Sequence, residues 1–439
     1  MRVSAAIPGN IMKRDFRRCA IAALFAFSAA LPAGAATSAQ PPRALQSDSV
    51  RDVEQRLDAA RDIAAERLIA IGGIVSPSGE EAARADAVAA IMRDIGLKDV
   101  AVTEATNAVG RIPGRSGRAV VFVSTLDDLK TVAEHQRARG KPPARRGTRI
   151  EGPGTNTSST TVAMLTAAEA LIDAGFSPEH DLVFAAVAQE ETGLVGMRAL
   201  YEETKDDAVA YIDILGDGRR ISYGALGIHW WKITAEGPPG HTLRGGLPNV
   251  NRGIARAVDR ILGLPHPEEF GDRMTRANVA ILRSGAVFNH KPEDGWFSLD
   301  LRSLDADVIA SMEEGTRAIL KEVSEETQIS FRMEPENLVP GGQIAGALDS
   351  DLVRWSIAIA EHMGFDPALS NAGSANLNIA IAGGSPAIGL GGERGGRRGF
   401  PDEWADLDAM MRTSRHAALL ALTLGAGQPY STGAHSVNE

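Results

Sequence analysis

The sequence predicts an α/β protein whose mainly parallel sheet is built from two chain segments, interrupted by a smaller α+β domain. Two continuous apolar runs, 119–123 and 182–187, are typical of strands that helices bury on both faces. The segment between them, 161–174, has helical periodicity and ends at Gly175. Strands that alternate with helices in this way favour a mainly parallel sheet.

The pattern changes near residue 224 and returns near residue 340. Between these points we expect strands over 228–235 and 296–301 and amphipathic helices over 251–262 and 306–324. After them we expect a helix over 351–363, a strand over 386–390, a Gly-rich loop and a helix over 407–424. We therefore assign 51–223 and 340–439 to the α/β domain and 224–339 to the α+β insert.

The N-terminal residues 1–35 have the organisation of a secretory signal peptide. A basic segment precedes an apolar stretch and the small residues Ala33-Gly34-Ala35, and the stretch is short for a membrane span. We expect cleavage, a linker over 36–50, a first helix over 53–71 and a periplasmic or extracellular location. The only cysteine, Cys19, would leave with the signal, so the mature chain would have no disulfide and no thiol nucleophile.

Composition excludes several classes of function. The 46 Lys and Arg residues stand against 56 Asp and Glu, and this net charge of −10 gives no basic footprint for nucleic acid. After signal cleavage we expect no stable membrane anchor. One stretch is strongly basic, and two interpretations of it stay open, a solvated loop or a flank of the active site; its members are Lys130, Arg137, Arg139, Lys141, Arg145, Arg146 and Arg149.

Chemistry-bearing motifs occur after the predicted strands and in the insert. The acidic pair Glu190-Glu191 follows a buried strand, and the carboxyl ends of parallel strands are where α/β sites form. The other motifs, in chain order, are Ser124-Thr125-Leu126-Asp127, 152–157, the Gly-Pro-Pro-Gly-His string ending at His241, Asn289, Asp300-Leu301-Arg302, 373–378, and Gly391-Gly392-Glu393 leading to Asp402-Glu403-Trp404.

Together these strings resemble the family of dizinc exopeptidases and amidohydrolases that includes aminoacylase, carboxypeptidase G and peptidase T. The resemblance runs from about residue 55 to 425. It implies an active site with two zinc ions, an insert that forms a homodimer and covers the site as a lid, and a peptide or N-acyl amino acid substrate. It places Glu190 as the general base, with Asp127 and His241 as further catalytic residues; His241 would reach the substrate from the partner subunit.

The same resemblance shows that the implied zinc ligands are incomplete. Glu191 and Asp213 occupy ligand positions, whereas Thr125, Thr157 and Gly399 stand at the other three. A Thr hydroxyl is a poor zinc ligand and Gly has no side chain, so we expect weak zinc binding at most. Arg302 and Asn289 are the implied contacts for the substrate carboxylate end. Arg394, Arg397 and Arg398 crowd the loop where a ligand His is missing, and we expect them to bind an anionic group there.

Two functions remain open from the sequence. One is a hydrolase of the metallopeptidase and amidohydrolase type, in which arginine or an unusual metal arrangement replaces zinc. The other is a non-catalytic binder of small anionic peptides or amino acid conjugates. The sequence does not identify the substrate.

Overall fold

Helices alternate with strands along the first part of the chain. The computed structural model describes residues 43–264 and 273–427. Its helices are α1 (Asp48–Ala59), α2 (Arg61–Gly72), α3 (Ala82–Asp94), α4 (Lys130–Arg139), α5 (Thr155–Asp173), α6 (Val195–Thr204), α7 (Val250–Leu262), α8 (Ala306–Thr327), α9 (Asp351–His362), α10 (Leu377–Ala382) and α11 (Leu407–Gly425), with 3₁₀ turns at Arg43–Gln46 and Ala347–Asp349.

The strands are short outside the two main sheets. They are β1 (Lys98–Val102), β2 (Ala108–Ile112), β3 (Ala119–Thr125), β4 (Ala144–Arg146), β5 (Arg149–Glu151), β6 (Asp181–Val187), β7 (Ala208–Ile214), β8 (Arg220–Ser222), β9 (Gly227–Glu236), β10 (Gly240–His241), β11 (Arg276–Asn278), β12 (Leu282–Ser284), β13 (His290–Lys291), β14 (Asp294–Ser303), β15 (Ser330–Val339), β16 (Ala368–Ser370), β17 (Ala387–Gly391), β18 (Gly395–Gly396) and β19 (Trp404–Asp406).

The largest sheet has eight strands in the order β1-β2-β6-β3-β7-β17-β8-β16. The strands at its centre, β6, β3, β7 and β17, are parallel. Strand β3 is buried along its whole length, because α5 and α11 cover one face of the sheet while α6 and α10 cover the other. Phe122 and Phe184 stack on the first face with ring centroids 5.4 Å apart. The predicted mainly parallel α/β sheet is confirmed.

A second, five-stranded sheet belongs to the insert. Its strands β11, β14, β9 and β15 are antiparallel neighbours, and β12 also pairs with β14. Helices α7 and α8 pack on it through a separate hydrophobic core that includes Ile233, Ile254 and Phe297. The predicted fold class, an α/β unit in two segments interrupted by an α+β region, is confirmed. The exact domain boundaries stay predictions.

Two local expectations were wrong. The helix predicted over 53–71 is two helices, α1 and α2, with a break at Ala60, whose N–H bonds back to Arg56 and Leu57. The apolar periodicity continues across this break, so the sequence does not reveal it. The basic stretch after Asp128 is helix α4, which ends at Gly140 in the left-handed conformation, followed by the hairpin β4–β5. The predicted signal peptide and most of the linker lie outside the described residues. In the described part of the chain, no helix is long and apolar enough to cross a membrane.

A buried histidine packs between α11, α9 and the end of β7. His416 is fully buried, its Nε2 lies 3.1 Å from the Ser356 hydroxyl, and a Cβ on Gly218 would lie 2.0 Å from its Nδ1. Burial lowers the pKa of His416 to about 4. The neutral ring is therefore the form that the folded protein accommodates.

We expect His416 to destabilise the protein as the pH falls. The unfolded chain takes up this proton at about pH 6.5, so the contribution to stability is complete above that pH and is lost as the pH falls towards 4. Urea unfolding at pH 7.5 and pH 4.5 should show that His416→Gln loses less free energy of unfolding than the wild type, by on the order of 2 kcal/mol. The exposed His290→Gln serves as the control. An equal loss in wild type and His416→Gln would contradict the assignment.

Candidate active site

The two adjacent glutamates are held at the carboxyl edge of the large sheet by a buried aspartate. Asp127 accepts hydrogen bonds from the N–H of Glu190 at 2.8 Å and of Glu191 at 3.1 Å, and the Ser78 hydroxyl donates to it. Glu81 accepts from the N–H of Gln189, which has a positive φ of 53°. Asp127 therefore fixes the backbone from which both glutamate side chains project.

An arginine braces the turn that carries Asp127. Arg84 is buried, and its guanidinium donates to the carbonyl oxygens of Leu126 and Ile74 and to the carboxylate of Asp128 at 2.7 Å. Both side chains of this ion pair are almost completely excluded from solvent. Breaking a buried ion pair leaves an uncompensated charge in the interior, which is strongly destabilising. The pair therefore holds the turn firmly. The sequence offers no signal for Arg84, since it lies on α3, far from the motifs.

Asp213 closes the site from the neighbouring strand. It ends β7, is buried, and accepts from the N–H of Leu377 at 3.0 Å and from the amide of Asn376 at 3.4 Å. The same Asn376 amide lies 3.2 Å from the hydroxyl of Thr125. Thr125, Asp213 and Asn376 are thus brought together, although they are far apart in the chain.

A third carboxylate organises the first turn of α5, where Thr157 lies. Glu403 accepts from the N–H groups of Gly154 at 2.9 Å and Asn156 at 3.0 Å with one oxygen, and from Gly399 at 3.0 Å with the other. A negative charge at a helix N-terminus is favourable. Glu403 therefore joins the Thr157 segment to the Gly399 loop, a role that the Asp402-Glu403-Trp404 string did not predict.

The Gly-rich loop brings two of its three arginines towards the glutamates. The guanidinium of Arg398 donates directly to the carboxylate of Glu191. Burial lowers the pKa of Arg394 to about 10, and the neighbouring charge of Arg398 adds to this effect. Arg397 takes a different direction, because it pairs with Asp402 and stacks 4.2 Å over the Phe400 ring. The structure does not bring Arg397 to the glutamates.

Carboxylates dominate the electrostatics of this site. Burial raises the pKa of Glu190 well above its ordinary value, and Glu191, Asp127 and Asp213 raise it further. Burial also raises the pKa of Asp213 to about 6. Burial acts to lower the pKa of Arg398, but the glutamates outweigh it and raise that pKa above its ordinary value. The site thus combines carboxyl groups whose pKa values are raised by burial with a guanidinium whose pKa is raised by the neighbouring glutamates.

Asp217 anchors the base of the Gly-rich loop. It is completely buried, accepts from the N–H of Glu393 at 3.1 Å and pairs with Arg412 at 2.9 Å, while Arg412 also reaches Glu393. Arg219 pairs with the same aspartate. The sequence analysis missed Asp217; its place just after β7, between Gly216 and Gly218, is the one signal that could have pointed to a packed turn.

The predicted site residues of the insert lie apart from the glutamates within one chain. His241 on β10 contacts Asn289 at 3.3 Å and lies edge-on to His290, with ring centroids 5.2 Å apart. Arg302 on β14 forms a bidentate ion pair with Asp300, with both N–H···O distances at 3.0 Å. Their assignment to the site stays a prediction that requires a second subunit.

The arrangement of strand ends and insert agrees with a known family. Residues 129–423 match the model of Peptidase family M20/M25/M40. The chain belongs to this family. No curated protein matches the sequence.

Among solved structures, the M20-type fold recurs at low identity. An aminopeptidase PepT from Bacillus cereus is 17% identical with a TM-score of 0.70, over 83% of this chain and 98% of that one. A tripeptidase from Staphylococcus aureus is 18% identical with a TM-score of 0.70, over 85% and 99%. The YXEP protein of Bacillus subtilis, described as a dinuclear metal-binding peptidase of the M20 family, is 13% identical with a TM-score of 0.61, over 85% and 99%. These likenesses show the fold.

The side chains present do not fit a dinuclear zinc centre. Within 43–264 and 273–427, no three or more His, Cys, Asp or Glu residues are grouped so that they could hold a metal ion. The retained carboxylate Glu191 is engaged by Arg398, and the Thr125 hydroxyl accepts from Asn376. A catalytic zinc ion ordinarily takes three protein ligands. No chemical step is therefore derived through zinc.

Proposed function

We propose that this chain is an exported M20-family protein that binds a peptide or an N-acyl amino acid at a site where arginine takes the place of the metal ions. The observation that carries the proposal is the contact between Arg398 and Glu191. In a metal site this carboxylate would face a divalent cation. Here a guanidinium of fixed charge compensates it, and arginine forms such paired bonds with carboxylates readily.

The second arginine of the loop supports a carboxylate-bearing ligand. Arg394 lies close enough to Glu190, Glu191 and Glu403 for their charges to affect it, yet its guanidinium forms no ion pair or hydrogen bond with any other described residue. A partly buried guanidinium without a bonded partner is costly, and the carboxylate of a peptide-like ligand would satisfy it. This contact would orient the ligand with its amide next to Glu190.

Amide hydrolysis without zinc is the second candidate function, and the raised pKa of Glu190 favours it. A carboxylate whose pKa is raised is a stronger general base: Glu190 would accept a proton from water as the water oxygen bonds to the carbonyl carbon, and would then donate that proton to the amide nitrogen as the C–N bond breaks. Arg398 would stabilise negative charge that develops on the carbonyl oxygen. In this case Glu190 is a catalytic residue, whereas Asp127 is a positioning residue that acts through the backbone of Glu190 and Glu191.

We also propose that the protein is a homodimer in the periplasm or outside the cell. The insert exposes three large apolar side chains near His241, namely Leu243, Val287 and Phe288. Exposed apolar groups that cluster on one region are typical of an interaction surface. A partner subunit docked there would bring His241 towards Glu190, as the family resemblance implies.

The first experiment tests the arginine replacement directly. Elemental analysis and calorimetric zinc titration of the purified protein should show no zinc bound more tightly than micromolar, because three ligand positions lack ligand side chains. The variant with Thr125→His and Thr157→Asp restores two ligands and should bind zinc at least tenfold more tightly. Two tightly bound zinc ions per wild-type chain would refute the proposal, and metal-independent hydrolysis of dipeptides or N-acyl amino acids would select the enzyme over the binder.

The role of Arg394 is testable against a neighbour on the same loop. Arg394→Ala should weaken the binding of an N-acetyl amino acid or dipeptide at least tenfold, about 1.4 kcal/mol, since its guanidinium lies near the glutamates and has no bonded partner among the described residues. Arg397→Ala removes the same charge from the opposite side of the loop and should change affinity less than twofold. Titration calorimetry measures both. An equal loss of affinity in the two variants would show that Arg394 acts only through its general positive charge and would contradict a specific contact.

The oligomeric state depends on the exposed apolar cluster. Light scattering at micromolar concentration should give a dimer for the wild type and a monomer for Phe288→Asp, because a charge would have to be buried at the interface. Leu348→Asp, at an exposed leucine far from the cluster in the chain, is the control. If the wild type is a monomer, His241 cannot reach the site from a partner subunit, and its assignment to the site is wrong.

A further inference from the structure

A second pocket lies beside the site described above. Its volume is about 810 Å³, and it opens between the C-terminal half of α4, strand β5 and the loop that leads to β19. The basic residues of its lining are His135, Arg139, Lys141, Arg149 and Arg397, and Trp404 also lines it. None of Glu190, Glu191 and Asp213 is part of the lining. The pocket is therefore a separate cavity that the proposed function does not use.

Arg149 is held in the pocket with its donors unused. Its guanidinium stacks on the Trp404 ring at 4.0 Å, and it forms no hydrogen bond or ion pair with the rest of the described chain. Stacking occupies the face of the planar group and leaves the N–H donors along its edge available. Such a fixed guanidinium is suited to a bidentate contact with a carboxylate or phosphate, because little side-chain entropy is lost on binding.

Arg139 is placed by a glycine. Its Nη1 lies 2.5 Å from where a Cβ on residue 152 would be, so the guanidinium rests on Gly152 and a larger residue would displace it. Neither Arg139 nor the exposed Lys141 has a carboxylate partner in 43–264 or 273–427. Three cations that line one cavity thus lack a counter-charge.

Whether a residue of the basic stretch has an ion-pair partner depends largely on whether it lines the pocket. Three of the four residues of the stretch that do not line the pocket are neutralised, since Arg137 pairs with Glu80, Arg145 with Asp62 and Arg146 with Glu151. The fourth, Lys130 at the start of α4, forms no ion pair with the described residues. Residues that line it are Arg139, Lys141 and Arg149, and these are unpaired. A merely solvated basic surface gives no reason for this division.

The acidic residues of the lining do not cancel these charges. Glu151 is paired with Arg146, and Asp402 is paired with Arg397. Glu403 is buried, with both carboxylate oxygens bonded to the backbone N–H groups of the α5 terminus and the Gly399 loop. An entering ligand therefore meets unpaired positive charge in a chain whose net charge is −10.

We infer that this pocket binds a small polyanion, a molecule with at least two carboxylate or phosphate groups. Arg149 would hold one group by its edge, and Arg139 with Lys141 would hold a second. The volume is in the range of about 300 to 1,000 Å³ that is usual for small-molecule sites. The inference does not rest on the proposed function, because the two sites share none of the residues that would contact either ligand.

Titration calorimetry at low ionic strength, with citrate and with pyrophosphate as probes, tests the inference. At least one probe should bind saturably at one site per chain, and Arg149→Gln should weaken it at least tenfold. Arg145→Gln, on the same hairpin but outside the pocket, is the matched control and should change affinity less than twofold. A response to citrate alone or to pyrophosphate alone would identify the charged group that the site prefers.

Further variants separate this site from folding effects and from the glutamate site. If Arg149→Gln lowers the melting temperature, the exposed Lys141→Gln takes its place and should weaken the probe at least threefold. Arg394→Ala should leave the affinity of the probe unchanged. The inference is wrong if neither probe binds saturably, or if Arg145→Gln weakens binding as much as Arg149→Gln, since that result would show only diffuse attraction to the basic surface.

Discussion

The gathering of carboxylates at one edge of the sheet is the constraint on which the rest of this site depends. Burial raises the pKa of Asp127, Glu190, Glu191 and Asp213, and the other three carboxylates lie close enough to Glu190 to raise its pKa further. Three features of the structure reduce this electrostatic cost. Backbone N–H groups bond to Asp127 and Asp213, the raised pKa of Glu190 favours its neutral form, and Arg398 compensates Glu191. In a fold shared with a dinuclear metal-binding peptidase, these contacts act on the acidic edge directly.

The same constraint explains why the loop that carries the arginines is so firmly anchored. A guanidinium compensates a buried carboxylate only when its position is fixed, because a small displacement leaves both groups desolvated and unpaired. Asp217 and Arg412 hold the start of the loop at Glu393, while Glu403 holds Gly399 at its end. Between these anchors, Arg398 turns towards Glu191 and Arg397 turns towards Asp402. Two adjacent residues thus point in different directions, Arg398 to the glutamates and Arg397 to the pocket beside them.

Much of the fold could be predicted because it rests on local patterns. The apolar runs that became β3 and β6 are long enough to specify strands buried on both faces, and the change of pattern at the insert is equally local. The break at Ala60 was missed because it interrupts the backbone without interrupting the periodicity. In the site, the family resemblance was enough to place Glu190, Glu191 and Asp213 at the same edge of the sheet, where the strands that carry them, β6 and β7, flank β3. The separate directions of Arg397 and Arg398 were not predictable, since a Gly-rich loop has no periodicity to indicate where side chains point.

Two residues that fix the site have roles that the motifs did not predict: Arg84 lies outside them, and Glu403 lies within one. Arg84 reaches Asp128 from α3, and its partner is recognisable only once the turn after β3 is known to be buried. Glu403 bonds to backbone N–H groups and so needs no particular side chain opposite it. Bonds to the backbone leave no pattern of paired residue types in a sequence. In this chain they connect the segments of Thr157 and Gly399, two of the three positions where the family resemblance implies a zinc ligand that the sequence lacks.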